Sequence, residues 1–399
     1  LHRYGLSNRQ LAAIGGHAES EVSEIMHAGR QVNRYDLLER IADCFGIPRG
    51  RIGLAGDYPN PAAEPDKNED VRRRKFLSLA AAAAIGGELP KVNLGDEHRL
   101  WEVHRLGRGD ITMLDTMVGR LRDLDQEFGG VAGHDSSVAL LRRATGLLDA
   151  QMSELTRSTL LSFLAHTHSF VGWSASDAGD SSLAKLHFQH SLMAGQEAQD
   201  HAAIARTLHL AARDELLWGE PNEALKLFQL AEPPTEAAGS TLLQSTIKAD
   251  SAIVLARSGH TSMARSAAGR AREYLAAVDF ATDPAPWFQA SDVTSALSAA
   301  KFHAGDRDEA ITEISDALLG THPHRIRSRA FRCANLVEFH LTAGNRCAGI
   351  EAGRTALELA ANVRSARLPV RLAPAAAAAD HYRRDTDARE LATAIRALG

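Results

Sequence analysis

Apolar residues recur at every third or fourth position through most of this 399-residue chain, and the strict alternation that marks β-strands is nearly absent. A spacing of three to four residues places apolar side chains on one face of a helix. From about residue 92 onward, predicted helices follow one another with short turns between them. The pattern therefore predicts an all-α fold and argues against most α/β enzyme folds.

Glycine-centred turns divide this helical region into repeats. Gly179, Gly219, Gly259, Gly305 and Gly344 are separated by 40, 40, 46 and 39 residues. Each glycine follows a long predicted helix and precedes a shorter one rich in Ala and Leu, so the repeating unit is a helix pair. Stacked pairs bury a continuous core that one pair cannot bury alone, and they leave a concave inner surface. We expect the first helix of each pair to line that surface.

Three segments depart from the regular repeat. The widest interval contains the proline-broken stretch 279–287, which predicts a loop inserted where a ligand or partner is held. Residues 97–151 predict one or two more pairs without a clear turn glycine, and residues 384–385 mark a weaker repeat. The candidate ligand-binding residues of the repeats are three tryptophans, Trp173, Trp218 and Trp287.

The first 56 residues are organised differently. Ser7 and Gln10 form a capping box, and glycines near positions 16, 29 and 46 end three short predicted helices. Two short helices across a tight turn, supported by a third, make a helix-turn-helix. A proline-rich, charged stretch and an alanine-rich helix follow. The predicted segments are a helix-turn-helix domain at 1–56, a linker and connecting helix at 57–91, and a repeat domain at 92–399.

The N-terminal segment resembles the lambda-repressor/Cro-like (XRE) regulators of actinobacterial type in its cap, apolar spacing and turn glycines. Full domains of that type carry a helix before the capping serine, so we expect further residues upstream of Leu1. The repeats resemble a degenerate tetratricopeptide-type α-solenoid, most closely at Gly219–Leu225 (GEPNEAL), although that family's period is about 34 residues. The positions that carry the first resemblance are Leu6-Ser7, Gly16, Val22, Ile25, Gly29, Leu38, Ile41-Ala42 and Gly46-Ile47.

The resemblance to XRE regulators implies that the second short helix enters the DNA major groove. Glu19 departs from the Gln often found at its position, and a carboxylate accepts from cytosine N4, so the target sequence stays open. By the resemblance, the candidates for base contact are Glu19, Ser20, Glu21 and Ser23. The candidates for phosphate contact are Asn8, Arg9, Arg30, Asn33 and Tyr35.

Composition narrows the expected chemistry. The net charge is −5, so the whole chain carries no electrostatic sign of nucleic-acid binding. No apolar run reaches the roughly 18 residues of a membrane span, and the common nucleotide-binding and hydrolase motifs are absent. We therefore expect no membrane contact, no enzyme activity and no cofactor. His187 and His190 share a helix face, as metal ligands would, but no cysteine or carboxylate cluster accompanies them and we expect no metal.

The expected function is a cytoplasmic, homodimeric transcription regulator that binds double-stranded DNA and senses a signal on its repeat domain. Three scattered cysteines fit a reducing cytoplasm, and we expect them to be core residues. The layout resembles the Gram-positive quorum-sensing regulators that bind short peptides, which makes a peptide the leading ligand. A small molecule or a partner protein is the other expectation. The alternative function is a protein-interaction scaffold whose acidic helix (Glu19, Glu21, Glu24) no longer binds DNA.

Overall fold

A computed structural model describes residues 105–285 and 287–398. The described residues form α-helices joined by short turns, with two 3-10 turns and no strand among them. The all-α prediction is confirmed for this part of the chain. The predicted helix-turn-helix domain and the linker lie outside the described residues.

The helices are α1 (Arg108–Phe128), α2 (Gly130–Gly146), α3 (Glu154–Asp177), α4 (Ser181–Ala198), α5 (His201–Trp218), α6 (Pro221–Ala238), α7 (Thr241–Arg257), α8 (Thr261–Ala276), α9 (Ala290–His303), α10 (Arg307–Leu319), α11 (Ile326–Thr342), α12 (Arg346–Ala360), α13 (Arg367–Ala379) and α14 (Thr386–Arg396).

The helices pack as consecutive antiparallel pairs in a solenoid-like array, and the first helices of neighbouring pairs contact one another. The predicted turn glycines Gly179, Gly259, Gly305 and Gly344 each join the two helices of a pair with φ between 79° and 98°. In each turn the next residue's N–H donates to a carbonyl five residues earlier, a C-terminal cap that needs the left-handed glycine. Gly219 also joins a pair, but its φ is −124°.

The core is built largely from alanine and leucine, with a few aromatic anchors. Phe188, Phe228 and Phe339 are fully buried, and Phe302 stacks on Phe339 with ring centroids 4.0 Å apart. Small alanines allow neighbouring helices to approach closely, and this explains how a chain with 5% aromatics fills a long core. Cys333 is buried as expected, whereas Cys347, near the start of α12, is exposed, so its prediction as a core residue was wrong.

The array closes on itself. The Arg364 N–H donates to the Phe128 carbonyl at 2.8 Å, and the Ala366 N–H donates to the Asp177 carbonyl at 2.7 Å. A Cβ on Gly129, whose φ is +91°, would lie 2.3 Å from the Arg364 carbonyl oxygen. The chain therefore needs glycine here, both for its backbone conformation and for the close approach of the α12–α13 loop.

Four charged side chains, the closing cluster, join the two ends of the array: Asp125, Asp177, Arg327 and Arg367. Arg327 makes two hydrogen bonds to Asp125, at 2.6 and 2.8 Å, and one to Asp177 at 3.1 Å. Arg367 Nε donates to Asp177 at 2.6 Å. Burial alone would raise the pKa of Asp177, but Arg367 and Arg327 hold that pKa well below its usual range. Burial raises the pKa of Asp125, although Arg327 opposes this shift. The cluster is therefore a buried, hydrogen-bonded set of two arginines and two aspartates.

Candidate functional site

An open cavity of about 1630 Å³ lies on the inner side of the closed array. Its lining comes from the first helices α1, α3, α5, α7, α9, α11 and α13 and from the loops before α9 and α11, with no described residue of a second helix. Sites for single small molecules usually span about 300–1,000 Å³. The cavity therefore has room for a short peptide as well as for a smaller ligand.

The predicted inserted loop between Ala276 and Ala290 supplies part of this lining. Asp283 accepts hydrogen bonds from the Ser240 hydroxyl at 2.7 Å and from the Leu242 N–H at 2.9 Å, which fixes the loop to the start of α7. The loop then places Trp287, Phe288 and Gln289 in the cavity wall. Asp283 thus caps α7, and the loop that carries it places the Trp287 indole in the cavity wall.

Two of the three candidate tryptophans line the cavity. Trp173 on α3 and Trp287 on the loop line it. Trp218 is the last residue of α5, is 36% exposed and is not part of the lining. Spacing along the sequence does not separate these cases, because the face that α5 presents at its end depends on the packing of the next pair.

Arginine dominates the charge of the lining, which includes ten arginines, seven carboxylates and, among the described residues, no lysine. The chain as a whole has a net charge of −5, so cationic side chains are concentrated on this surface. Arginine presents several N–H donors in a fixed plane that matches carboxylate and phosphate groups. Most of these arginines have partners: Arg327 and Arg367 belong to the closing cluster, and Arg213, Arg325, Arg332 and Arg371 pair with Asp250, Asp292, Asp292 and Glu338.

Arg206 and Arg122 form no such pair. Arg206 on α5 is 6% exposed, and its Nε and Nη1 have no hydrogen-bond partner among the described residues. The Nε of Arg122 on α1 is also buried without a partner. Burial and the charge of Arg122 lower the pKa of Arg206 well below its usual value, although Asp125 opposes this shift. Burial also lowers the pKa of Arg122, against the opposing charges of Asp115 and Asp125. Arginine nevertheless stays protonated in proteins, so two cations that form no direct ion pair lie near each other on the cavity wall.

Aromatic rings hold these two guanidiniums in place. Arg206 lies over the Trp287 ring at 4.4 Å from its centroid, and Arg122 lies over Phe170 at 5.6 Å. His166 packs against Trp287, with the two ring centroids 4.9 Å apart. We call Arg122, His166, Arg206 and Trp287 the anion site, because an anion is the partner that its cations lack.

His166 is oriented by a polar chain behind it. Its Nε2 lies 3.1 Å from Asp200, which also accepts from the Ser162 hydroxyl at 2.5 Å and caps α5 through the Ala203 N–H. The His166 Nδ1 is buried and unpartnered. Burial lowers the pKa of His166 in spite of Asp200, so the ring is neutral near pH 7. A neutral ring that donates from Nε2 presents a lone pair at Nδ1, and a bound anion would favour protonation there.

These two arginines were not among the predicted site residues. An arginine on an amphipathic helix looks like an ordinary surface charge, and only the tertiary structure reveals that its guanidinium nitrogens are buried without a hydrogen-bond partner. Two histidines that are neighbours in the sequence have different surroundings. His166 lines the cavity, whereas His168 packs against His187 and His190. The DNA-contact candidates lie outside the described residues: Asn8, Arg9, Glu19, Ser20, Glu21, Ser23, Arg30, Asn33 and Tyr35.

No protein-family model matches the chain, and no curated protein is significantly similar to it. Within the described residues, none of the helices has both the length and the apolar character that crossing a membrane requires.

Proposed function

We propose that this protein is a transcription regulator in which a lambda-repressor-like helix-turn-helix domain binds DNA and a tetratricopeptide-like domain binds an anionic signal. One observation carries the proposal: on the wall of a large cavity, the buried Arg206 and the half-buried Arg122 both have guanidinium nitrogens that are buried without a hydrogen-bond partner among the described residues. A buried, unpaired charge costs several kcal/mol, and a bound anion offsets that cost. The DNA-binding half rests on the resemblance of the first 56 residues.

The chemistry of the wall defines the class of ligand. Charge-assisted hydrogen bonds from guanidinium groups are strongest to carboxylate and phosphate oxygens. Phe170, Trp173, Phe288 and Phe331 add apolar surface to the same cavity. A carboxylate- or phosphate-bearing ligand with an apolar part fits this lining, and an acidic or C-terminally free short peptide belongs to that class.

The regulatory step follows from linkage. A ligand that binds one arrangement of the repeats more tightly shifts the population toward that arrangement. We propose that the protein acts as a cytoplasmic homodimer, because one helix-turn-helix contacts one half-site and two half-sites must be spaced correctly. Ligand binding would then change DNA affinity through the relative position of the two DNA-binding domains.

The first test measures anion binding. Full-length wild-type protein is melted in a low-salt buffer with inorganic phosphate, citrate or a short acidic peptide. An anion at ten times its Kd should stabilise the protein by about 1.4 kcal/mol. R206M and R122M should lose this response, whereas R265M should keep it, because Arg265 is 60% exposed and pairs with Asp306 instead. Equal responses of wild type and R206M to every anion would contradict the proposed ligand class.

The second test measures DNA binding. Wild-type protein is titrated onto its own upstream DNA against random competitor DNA at several salt concentrations, with and without the anion that stabilised it. Selective binding that weakens steeply with salt supports the regulator, because phosphate contacts release counterions. If wild type and E19Q both fail to bind selectively in either state, the DNA-binding half of the proposal is wrong.

A further inference from the structure

Three histidines converge between α3 and α4, away from the cavity. The Nδ1 atoms of His168 and His187 lie 3.0 Å apart, and the ring centroid of His168 lies 5.3 Å from that of His187 and 5.1 Å from that of His190. Each residue offers one ring nitrogen, and these three nitrogens all lie within 4.8 Å of one another. None of the three belongs to the cavity lining.

The sequence brings these rings together through helix geometry and one glycine. His187 and His190 are three residues apart on α4, so they share a face. A Cβ on Gly172 would lie 2.7 Å from the Phe188 ring and 3.1 Å from the Ala184 carbonyl oxygen. Gly172 therefore lets α4 approach α3 closely, one turn beyond His168, and that approach places His187 and His190 opposite His168.

We propose that His168, His187 and His190 form a binding site for a divalent transition metal, with Zn²⁺ as the representative ion. Three neutral imidazoles suit Zn, Co, Ni and Cu rather than Mg or Ca, which prefer oxygen ligands. Ligand nitrogens around a tetrahedral Zn²⁺ lie about 3.3 Å apart for Zn–N bonds of about 2.0–2.1 Å. The His168–His187 separation is already close to that value.

To complete the site, the His190 ring must move closer to the other two ligand nitrogens. His168 and His187 are buried, whereas His190 is half-buried, so His190 can change rotamer and admits the ion from its side. Three protein ligands leave the fourth position of a tetrahedral ion to water or another small ligand, as in open zinc sites. His134 on α2 lies nearby and hydrogen-bonds through Nδ1 with the Ser174 hydroxyl at 3.3 Å.

The electrostatic surroundings keep the rings in the metal-binding form. Burial and the neighbouring histidines lower the pKa of His168, and burial with His190, His134 and Arg142 lowers the pKa of His187 to about 4. Burial also lowers the pKa of His190. Neutral imidazole is the form that binds a metal, so little proton release opposes binding near pH 7. The Nε2 of His168 is fully buried and has no hydrogen-bond partner among the described residues, so the Nδ1 contact with His187 leaves one nitrogen of this ring unsatisfied.

The test uses the full chain with its purification tag removed and with metals stripped by a chelator. Titration with Co²⁺ should give one bound ion per chain with the visible absorption of a low-coordinate cobalt site, and Zn²⁺ should displace it and raise the melting temperature. H190Q should weaken the affinity at least about tenfold, since even changes outside the ligand set cost 10–100-fold. H187Q/H190Q should abolish stoichiometric binding.

The matched control is H322Q/H324Q, which removes an exposed pair of stacked histidines whose rings lie 5.3 Å apart. This variant should bind cobalt like wild type. Circular dichroism checks that H190Q, altered at a half-buried position, is folded. Absence of a stoichiometric cobalt complex in wild type, or loss of binding in H322Q/H324Q but not in H187Q/H190Q, would overturn the proposal. Anion binding at the cavity does not enter either outcome.

Discussion

Arg206 and Arg367 are both buried arginines on the inner side of the array, and both stack on a tryptophan. Arg206 lies 4.4 Å from the Trp287 centroid and Arg367 lies 4.0 Å from the Trp173 centroid. The difference is the carboxylate: Asp177 accepts from Arg367 at 2.6 Å, whereas no described carboxylate pairs with Arg206.

Burial and an aromatic neighbour therefore do not by themselves define the role of an arginine. A paired, buried cation connects distant parts of the fold, and removing its partner leaves a charge that the interior cannot stabilise. An unpaired, buried cation weakens the empty protein and becomes favourable only with a ligand. The closing cluster and the proposed anion site thus use the same kind of side chain, one paired with carboxylates inside the fold and the other, by our proposal, with a bound anion.

The largest expected effect comes from removing the charge of the closing cluster. D177N keeps the shape of the side chain but leaves Arg327 and Arg367 undercompensated, so the free energy of unfolding should fall by about 3–5 kcal/mol. Urea denaturation measures this loss, and X-ray scattering should detect a larger radius of gyration if the ends of the array separate.

The matched control for that variant is D306N, which removes an exposed ion pair with Arg265. Exposed pairs contribute about 0–1 kcal/mol, so D306N should unfold nearly like wild type. If D177N proved no more harmful than D306N, closure of the array would not depend on the cluster.

A smaller effect of opposite sign should distinguish the two arginines. R206M removes an uncompensated charge and keeps an apolar stem, so the protein without added anions should gain on the order of 1 kcal/mol of stability, since desolvation costs more than the cation–π contact contributes. R367M removes half of a pair and should lose stability. Urea unfolding of both variants in the same low-salt buffer tests the contrast, which fails if both changes have the same sign.

The smallest effect is the pH dependence of the closing cluster. The folded-state pKa of Asp177 lies below its unfolded value because Arg367 and Arg327 oppose the effect of burial. Its contribution to stability is therefore complete above the unfolded pKa of about 3.9 and is lost as the pH falls through the folded pKa. The difference in stability between wild type and D177N should stay constant from pH 8 to about 5 and shrink below about 4.

Stability curves of the two proteins across that pH range measure this window. A difference that instead changed between pH 6 and 8 would point to histidine titration rather than to Asp177.

Several features of the fold were predictable from local pattern. The turn glycines at 179, 259, 305 and 344 lie where the helix pairs turn, and residues 279–287 belong to an irregular loop. Gly129 was not predicted as a turn, although it joins α1 to α2 with φ +91°. The signal that was available is the Gly129-Gly130 pair itself, which interrupts two helical segments.

The sequence by itself determined the helices and their pairing, because these depend on residues within one or two turns of each other. Only the tertiary structure decided which cations are paired. Asp125 meets Arg327 across 202 residues and Asp177 meets Arg367 across 190 residues, whereas the Nε and Nη1 of Arg206 find no hydrogen-bond partner among the described residues. Ion pairs between such distant residues depend on the rotation that accumulates from one stacked helix pair to the next, and the spacing of apolar residues within a helix does not determine that rotation. The same holds for the three histidines, where the spacing of two predicted a shared face and the approach at Gly172 supplied the third.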